Sequence, residues 1–318
     1  MTDHTPTDTT YRLLKFLSRQ PIQISRFIAR MLAGLVNFLK MSKTSDTIRL
    51  NLQIALPELT AAQHEEIIPK AIHNELTSYF EFFSIWGADN HKNIARIHSI
   101  NGEQILQEAL KAPEGLVLIV PHFGTWEIMN AYLAQFTQMT ILYKPVKNES
   151  ADQFVREARS REQANLVPTD ESGVRQIFKA LKQGGTTVIL PDHTPNVGGD
   201  MIPYFGIPLT TSNLSAKLIQ KTKAKTLFLY ALRNNDHGFD MHIEPIDERI
   251  YQGNANEGTG VIFEAIENLI RRYPEHYHWS YKRFKANPEL DKVYHLKTDE
   301  ALEVVAEVRA KAIQAEIV

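Results

Sequence analysis

The chain has 318 residues, 43% of them hydrophobic and 9% aromatic, which is enough to bury a sizeable core. A formal net charge of -2 gives no global attraction to nucleic acid, so no nucleic-acid partner is expected. There is no cysteine, which excludes disulfides, thiolate metal sites and a cysteine nucleophile, and the twelve histidines show no HExxH-type spacing for a metal.

Residues 1–10 (MTDHTPTDTT) are polar and read as a disordered terminus. Residues 11–43 carry seven basic side chains (Arg12, Lys15, Arg19, Arg26, Arg30, Lys40, Lys43) and no acidic one, interleaved with Leu, Ile, Phe, Met and Val. The longest uncharged run there, Met31 to Leu39, is too short to span a bilayer, which takes about 20 apolar residues. A basic amphipathic helix lying in a membrane interface is the reading that fits, against the plainer one of a helix packed on its own domain. Residues 46–88 predict helices, broken at Pro57 and restarted at a Thr60 cap, ending in an aromatic-rich stretch from Tyr79 to Trp86.

From about residue 115 strands and helices alternate. GLVLIVPH (115–122) is a continuous apolar run, as in a strand buried on both faces. A helix follows from Gly124 to about Phe136, then a strand at 139–144, helices at 150–164 and 173–183, and a strand at 186–192 (TTVILPD). After a Gly/Pro-rich loop come a helix at 211–223, a strand pair at 225–233 and 239–246 around the Asn234–Gly238 turn, a helix at 256–273 and a loosely packed terminal helix at 299–317. The fold class is therefore α/β, a central mixed sheet flanked by helices with an N-terminal membrane-associated helix. The division is a terminus 1–10, an amphipathic segment 11–43, a main domain 44–290 and a helical extension 291–318.

The chemistry sits in PHFGTWE (121–127). His122 ends a buried strand, where α/β sheets bind their ligands, and Glu127 follows five residues later. A neutral imidazole is a suitable base near pH 7, and a carboxylate beside it fixes its tautomer, so His122 and Glu127 are the candidate dyad. With no Ser or Cys nucleophile motif, a substrate hydroxyl takes the place of the serine, and backbone N–H groups at the helix start hold the oxyanion. Lys144 ends the second strand and Arg159 follows on the next helix, both as anion contacts. Asp192 ends the third strand as a supporting polar residue, followed by His193, and Tyr204 and Phe205 stand on an apolar turn as contacts for an acyl chain.

NLQIALPEL (51–59), HFGTWE (122–127), YKPVKN (143–148), the Arg159 region, LPDHTP (190–195), YFGIPLTTS (204–212) and YPEHYHWSYKRFK (273–285) together resemble the late acyltransferases of lipid A biosynthesis, the lauroyl/myristoyl transferases of Gram-negative bacteria. The resemblance runs from about residue 12 to 286. It implies a glycerolipid-acyltransferase-like sandwich, with that superfamily's H-x4-D/E signature falling on His122 and Glu127. It also implies an acyl donor carried by acyl carrier protein, a phosphorylated, acylated glucosamine disaccharide as acceptor, and the cytoplasmic face of the inner membrane. No tightly bound cofactor is implied, because the donor brings its own phosphopantetheine. The family often carries Arg where Lys144 stands and Gln where His193 stands. A transferase for a glycerophospholipid or another glycolipid, and an inactive lipid-binding membrane protein, are the alternative readings.

Overall fold

The structure, a computed structural model, describes residues 9–39, 43–234 and 238–317. Residues 1–8 of the expected disordered terminus, Lys40 and the middle of the Asn234–Gly238 turn lie outside them. In chain order the α-helices and strands are α1 (Thr9–Ser18), α2 (Ile22–Leu39), α3 (Lys43–Ala55), α4 (Ala61–Gly87), α5 (Asn90–Ile94), β1 (Ile97–Asn101), α6 (Glu103–Ala109), β2 (Leu116–Ile119), α7 (Ile128–Leu133), β3 (Met139–Tyr143), α8 (Glu149–Arg161), β4 (Asn165–Pro168), α9 (Glu171–Lys182), β5 (Thr186–Ile189), β6 (Asp200–Tyr204), β7 (Ile207–Thr211), α10 (Leu214–Thr222), β8 (Lys225–Arg233), β9 (Phe239–Pro245), α11 (Ala255–Arg272) and α12 (Thr298–Ile317).

Seven strands form one mixed sheet in the order β1-β9-β8-β2-β5-β3-β4. Every pairing in it is parallel except the β8–β9 hairpin, which joins the two runs expected to pair. Strand β2 lies at the centre and divides its side chains between the two faces. Val117 and Ile119 enter one core cluster, while Leu116, Leu118 and Val120 enter the other. That is why its sequence is continuously apolar rather than alternating. A separate antiparallel hairpin, β6–β7, sets Pro203 opposite Pro208.

The long helix α4 starts at the Thr60 cap, where the Thr60 side chain accepts from the Gln63 N–H and the Gln63 side chain reaches back to the Thr60 N–H. Its neighbour α2 is separated from α1 by a break at Gln20–Pro21, so the basic N-terminal segment forms two helices rather than one. Ile22, Ala29 and Ala33 of α2 are buried, whereas Phe27, Met31 and Leu35 on another side are 60%, 61% and 52% exposed. Among the described residues no single helix is long and apolar enough to cross a membrane. The terminal helix α12 is docked rather than loose: Ala301, Val305 and Val308 are buried in the main core, and the Arg309 guanidinium donates to the Ile54 carbonyl.

Candidate active site

Strands β2 and β5 run parallel with Ile119 opposite Ile189. Three residues beyond each of these stand His122 and Asp192, so the register alone brings them to the same point on the carboxyl edge of the sheet. Asp192 is fully buried and grips His122 twice. Its Oδ1 lies 2.8 Å from the ring Nδ1, and its Oδ2 accepts from the His122 backbone N–H at 3.0 Å. Burial alone raises the Asp192 carboxyl, but His122 outweighs it and holds the group far below the usual carboxylate range. An ionised Asp192 makes Nδ1 the protonated nitrogen and leaves the Nε2 lone pair of a neutral ring free to accept a proton.

The turn after His122 is clamped from two sides. Gly124 adopts φ +55°, and a Cβ there would collide with the Ala231 carbonyl. Its N–H donates to the His276 carbonyl at 2.8 Å, and the His278 N–H donates to the His122 carbonyl at 3.1 Å. The His278 ring nitrogen Nε2 meets the Gly124 carbonyl at 2.9 Å, and the Tyr277 hydroxyl donates to Asp192 Oδ2 at 3.0 Å. Beneath the turn, Thr125 donates to the buried Glu81 at 2.6 Å, and Glu81 also pairs with Arg26 of α2 at 2.6 Å and Arg233 of β8 at 2.8 Å. The expected oxyanion donors are partly spent, since the Phe123 N–H donates to the Pro121 carbonyl and the Gly124 N–H to His276.

Glu127 faces elsewhere. One oxygen accepts from Arg159 at 2.7 Å, and the other from Trp86 Nε1 at 2.9 Å and the Asn130 amide at 3.1 Å. The His122–Glu127 pairing read from the spacing is therefore corrected: the orienting bond to the ring comes from Asp192. The reason is local. The segment from 123 to 127 is a tight turn that turns Glu127 inward, where it is 5% exposed. Arg159 also pairs with Glu162 at 2.9 Å, and its side chain is only 12% exposed. Burial lowers the Arg159 basicity, but Glu127 and Glu162 more than offset this and keep it charged. Burial in turn pushes Glu162 up to about 7, against the pull of Arg159. With two carboxylates on its fork, Arg159 is part of a buried ion cluster and not an open anion contact.

The remaining expected contacts also differ. Lys144 is exposed and donates to Asn196 at 3.2 Å. Tyr204 and Phe205 are 1% and 4% exposed in the protein's own core, Tyr204 packed against Phe205, Phe263 and Phe284, so neither is free to touch an acyl chain. The turn between them and Ile207 places Phe205 and Gly206 at φ +50° and +71° and folds both aromatics inward. His122 instead opens on a pocket of about 410 Å³ lined by Tyr79, Phe82, Trp86, Trp126, His193, His278, Ser280 and Tyr281. The aromatic end of α4 thus supplies one wall. Tyr277, His278 and Tyr281 were not singled out by sequence as site residues, because they lie on a segment with no strand or helix period; they entered only within YPEHYHWSYKRFK (273–285), one of the stretches that carry the family resemblance.

A mixed sheet whose parallel strands β2 and β5 carry a His–Asp pair at their carboxyl ends, open to an apolar aromatic pocket, defines a class of enzyme suited to moving a group with a long apolar tail. The chain belongs to the bacterial lipid A biosynthesis acyltransferase family, whose model matches residues 10–286. It is 24% identical over 251 residues to the lipid A biosynthesis palmitoleoyltransferase of Escherichia coli (strain K12), covering 78% of this chain and 81% of that one. Identity to the lipid A biosynthesis acyltransferase of Shigella flexneri is the same over the same lengths. The lipid A biosynthesis lauroyltransferase of Escherichia coli (strain K12) is 20% identical over 252 residues, with the same coverage of both chains. The protein is thus an acyltransferase of lipid A biosynthesis.

Proposed function

We propose that the chain transfers a fatty acyl group from acyl carrier protein to a hydroxyl of a phosphorylated, acylated lipid A precursor, at the cytoplasmic face of the inner membrane. His122 is the general base and Asp192 orients it. The observation that carries this reading is the 2.8 Å contact between His122 Nδ1 and Asp192 at the mouth of an apolar pocket.

The steps follow from the tautomer. His122 Nε2 takes the proton of the acceptor hydroxyl while its oxygen attacks the thioester carbonyl. The tetrahedral adduct collapses, the C–S bond breaks, and the thiolate of the carrier's phosphopantetheine takes the proton from Nε2. Asp192 stabilises the imidazolium between the two transfers. Transfer is direct, with no acyl-enzyme.

The exposed apolar side of α2 supports the membrane part of the reading. Phe27, Met31 and Leu35 recur at helical spacing, and Leu13 and Phe16 of α1 are 54% and 61% exposed. Lys15 and Arg26 are drawn into ion pairs with Glu157 and Glu81, so fewer of the seven basic residues face lipid than the sequence suggests.

The test is acyl transfer by purified protein from lauroyl-loaded carrier protein to a lipid A precursor, read by mass spectrometry. His122→Ala is expected to lose roughly a hundredfold or more in rate. A folded His122→Ala protein with near-normal turnover, or a trapped covalent acyl-enzyme, contradicts the reading.

A further inference from the structure

His193 follows Asp192 directly, and its ring lies face to face on that of His122, with centroids 3.7 Å apart and planes 2° from parallel. Tyr281 covers its other face at 3.8 Å and 15°. Tyr281 is fixed in turn, because its hydroxyl accepts from the Thr194 N–H at 3.1 Å. Trp126 meets His122 edge-on at 5.0 Å and 76°. An imidazole held by one in-plane bond to a carboxylate remains free to rock about that bond. Here the stacked ring and the Trp126 edge remove that freedom, and the stack also keeps water from one face of His122.

Resting on the reading that His122 is the base, the geometry points to His193 as a positioning residue: stacked between His122 and Tyr281, it holds the His122 ring in the plane of Asp192. The stack works only while His193 is uncharged, since a second cation there opposes imidazolium formation on His122. Burial first, then the charge that His122 takes on, push the His193 imidazole down to about 4; Asp192 pulls the other way and Arg283 adds to the depression. At neutral pH His193 is therefore the uncharged imidazole. The charged and titratable groups around it are His122 and Asp192 at the two strand ends, and Tyr281 and Arg283 on the segment that closes the site.

The experiment compares rate against pH for wild type, His193→Phe, His193→Ala and His122→Ala, using lauroyl-loaded carrier protein and a phosphorylated, acylated glucosamine disaccharide. His193→Ala is expected to lower kcat by about tenfold with little change in KM, as for a base that is less well held. The acid limb of its pH profile moves upward, because water now reaches the His122 face and favours its protonated form. His193→Phe keeps an aromatic stack and should retain most of kcat and the wild-type limb. If the alanine variant does not fold, His193→Asn, which has comparable bulk and no ring, takes its place. A folded ring-less variant with wild-type kcat and limb overturns the inference, as does a folded phenylalanine variant as slow as alanine. Normal turnover by His122→Ala removes the base assignment itself, and the role of His193 with it.

Discussion

At the scale of single residues, His122 and Asp192 were both legible because each ends an apolar strand run with the same Pro–polar step, VPH and LPD. Their partnership was not, because spacing along the chain says nothing about register between β2 and β5, whereas Glu127 was near in sequence and drew the pairing. The buried histidine beside them gives a prediction in stability. The folded-state value for His193, about 4, lies below its ordinary 6.5, so as pH falls the unfolded chain takes up the proton first. His193 therefore costs stability progressively as pH drops from about 6.5 toward 4, roughly 2 kcal/mol at pH 5. Asp192 has the opposite sense and a lower window: its contribution is in place above about 3.8 and is lost only below that. Other groups titrate in the same range, Glu162 among them, and a comparison cancels them. Measured by denaturant at pH 7.5 and 5, the stability of His193→Phe relative to wild type should rise by roughly 2 kcal/mol at the lower pH. An unchanged difference shows that His193 titrates alike in both states.

At the scale of elements, the strongly apolar or periodic segments were readable: β2, β3, β5, the β8–β9 hairpin and α4 with its Thr60 cap fall where their patterns predict. The edge strands were not. β1 (IHSIN) has no buried residue, and β4 has four residues of which only Val167 is buried, so neither carries the apolar signal of a central strand. The β6–β7 hairpin contains Pro203 and Pro208, which argue against strand in sequence but sit opposite each other in an isolated two-stranded ribbon. Helix α2 packs one side on α4, as the plainer reading of the N-terminal segment expects, and leaves another apolar side exposed. The exposed side is where membrane binding is tested. Phe27→Glu with Met31→Glu should leave the melting temperature nearly unchanged and lower binding to anionic vesicles at least about tenfold, since each buried side chain contributes about 1.5–3 kcal/mol. High salt should release wild-type protein only partly, because Lys15 and Arg26 are engaged internally. Vesicle binding unaffected by the double substitution places the membrane contact elsewhere.

At the scale of the whole molecule, the site is assembled from three distant stretches: the β2 turn at 122–127, the β5 end at 192–193, and the closing segment at 277–281. Long-range topology brings these together, which is why the sequence pointed to the carboxyl edge of the sheet as the candidate site but not to the wiring of its charges. Glu81 ties the same turn to α2 and β8, so the helix with the exposed apolar side and the turn that carries His122 share one buried network. The most direct measurement of the central claim sets Asp192→Asn beside Glu127→Gln, recording kcat and the unfolding midpoint of each. If Asp192 orients the base, its amide variant stays folded and loses roughly a thousandfold or more in kcat, as expected when the tautomer of a catalytic histidine is no longer enforced. Glu127→Gln, which weakens a buried ion pair with Arg159, lowers the unfolding midpoint and loses activity only as folded protein is lost. The reverse result, a stable but inactive Glu127→Gln together with a nearly active Asp192→Asn, contradicts the His122–Asp192 pair and returns the chemistry to Glu127.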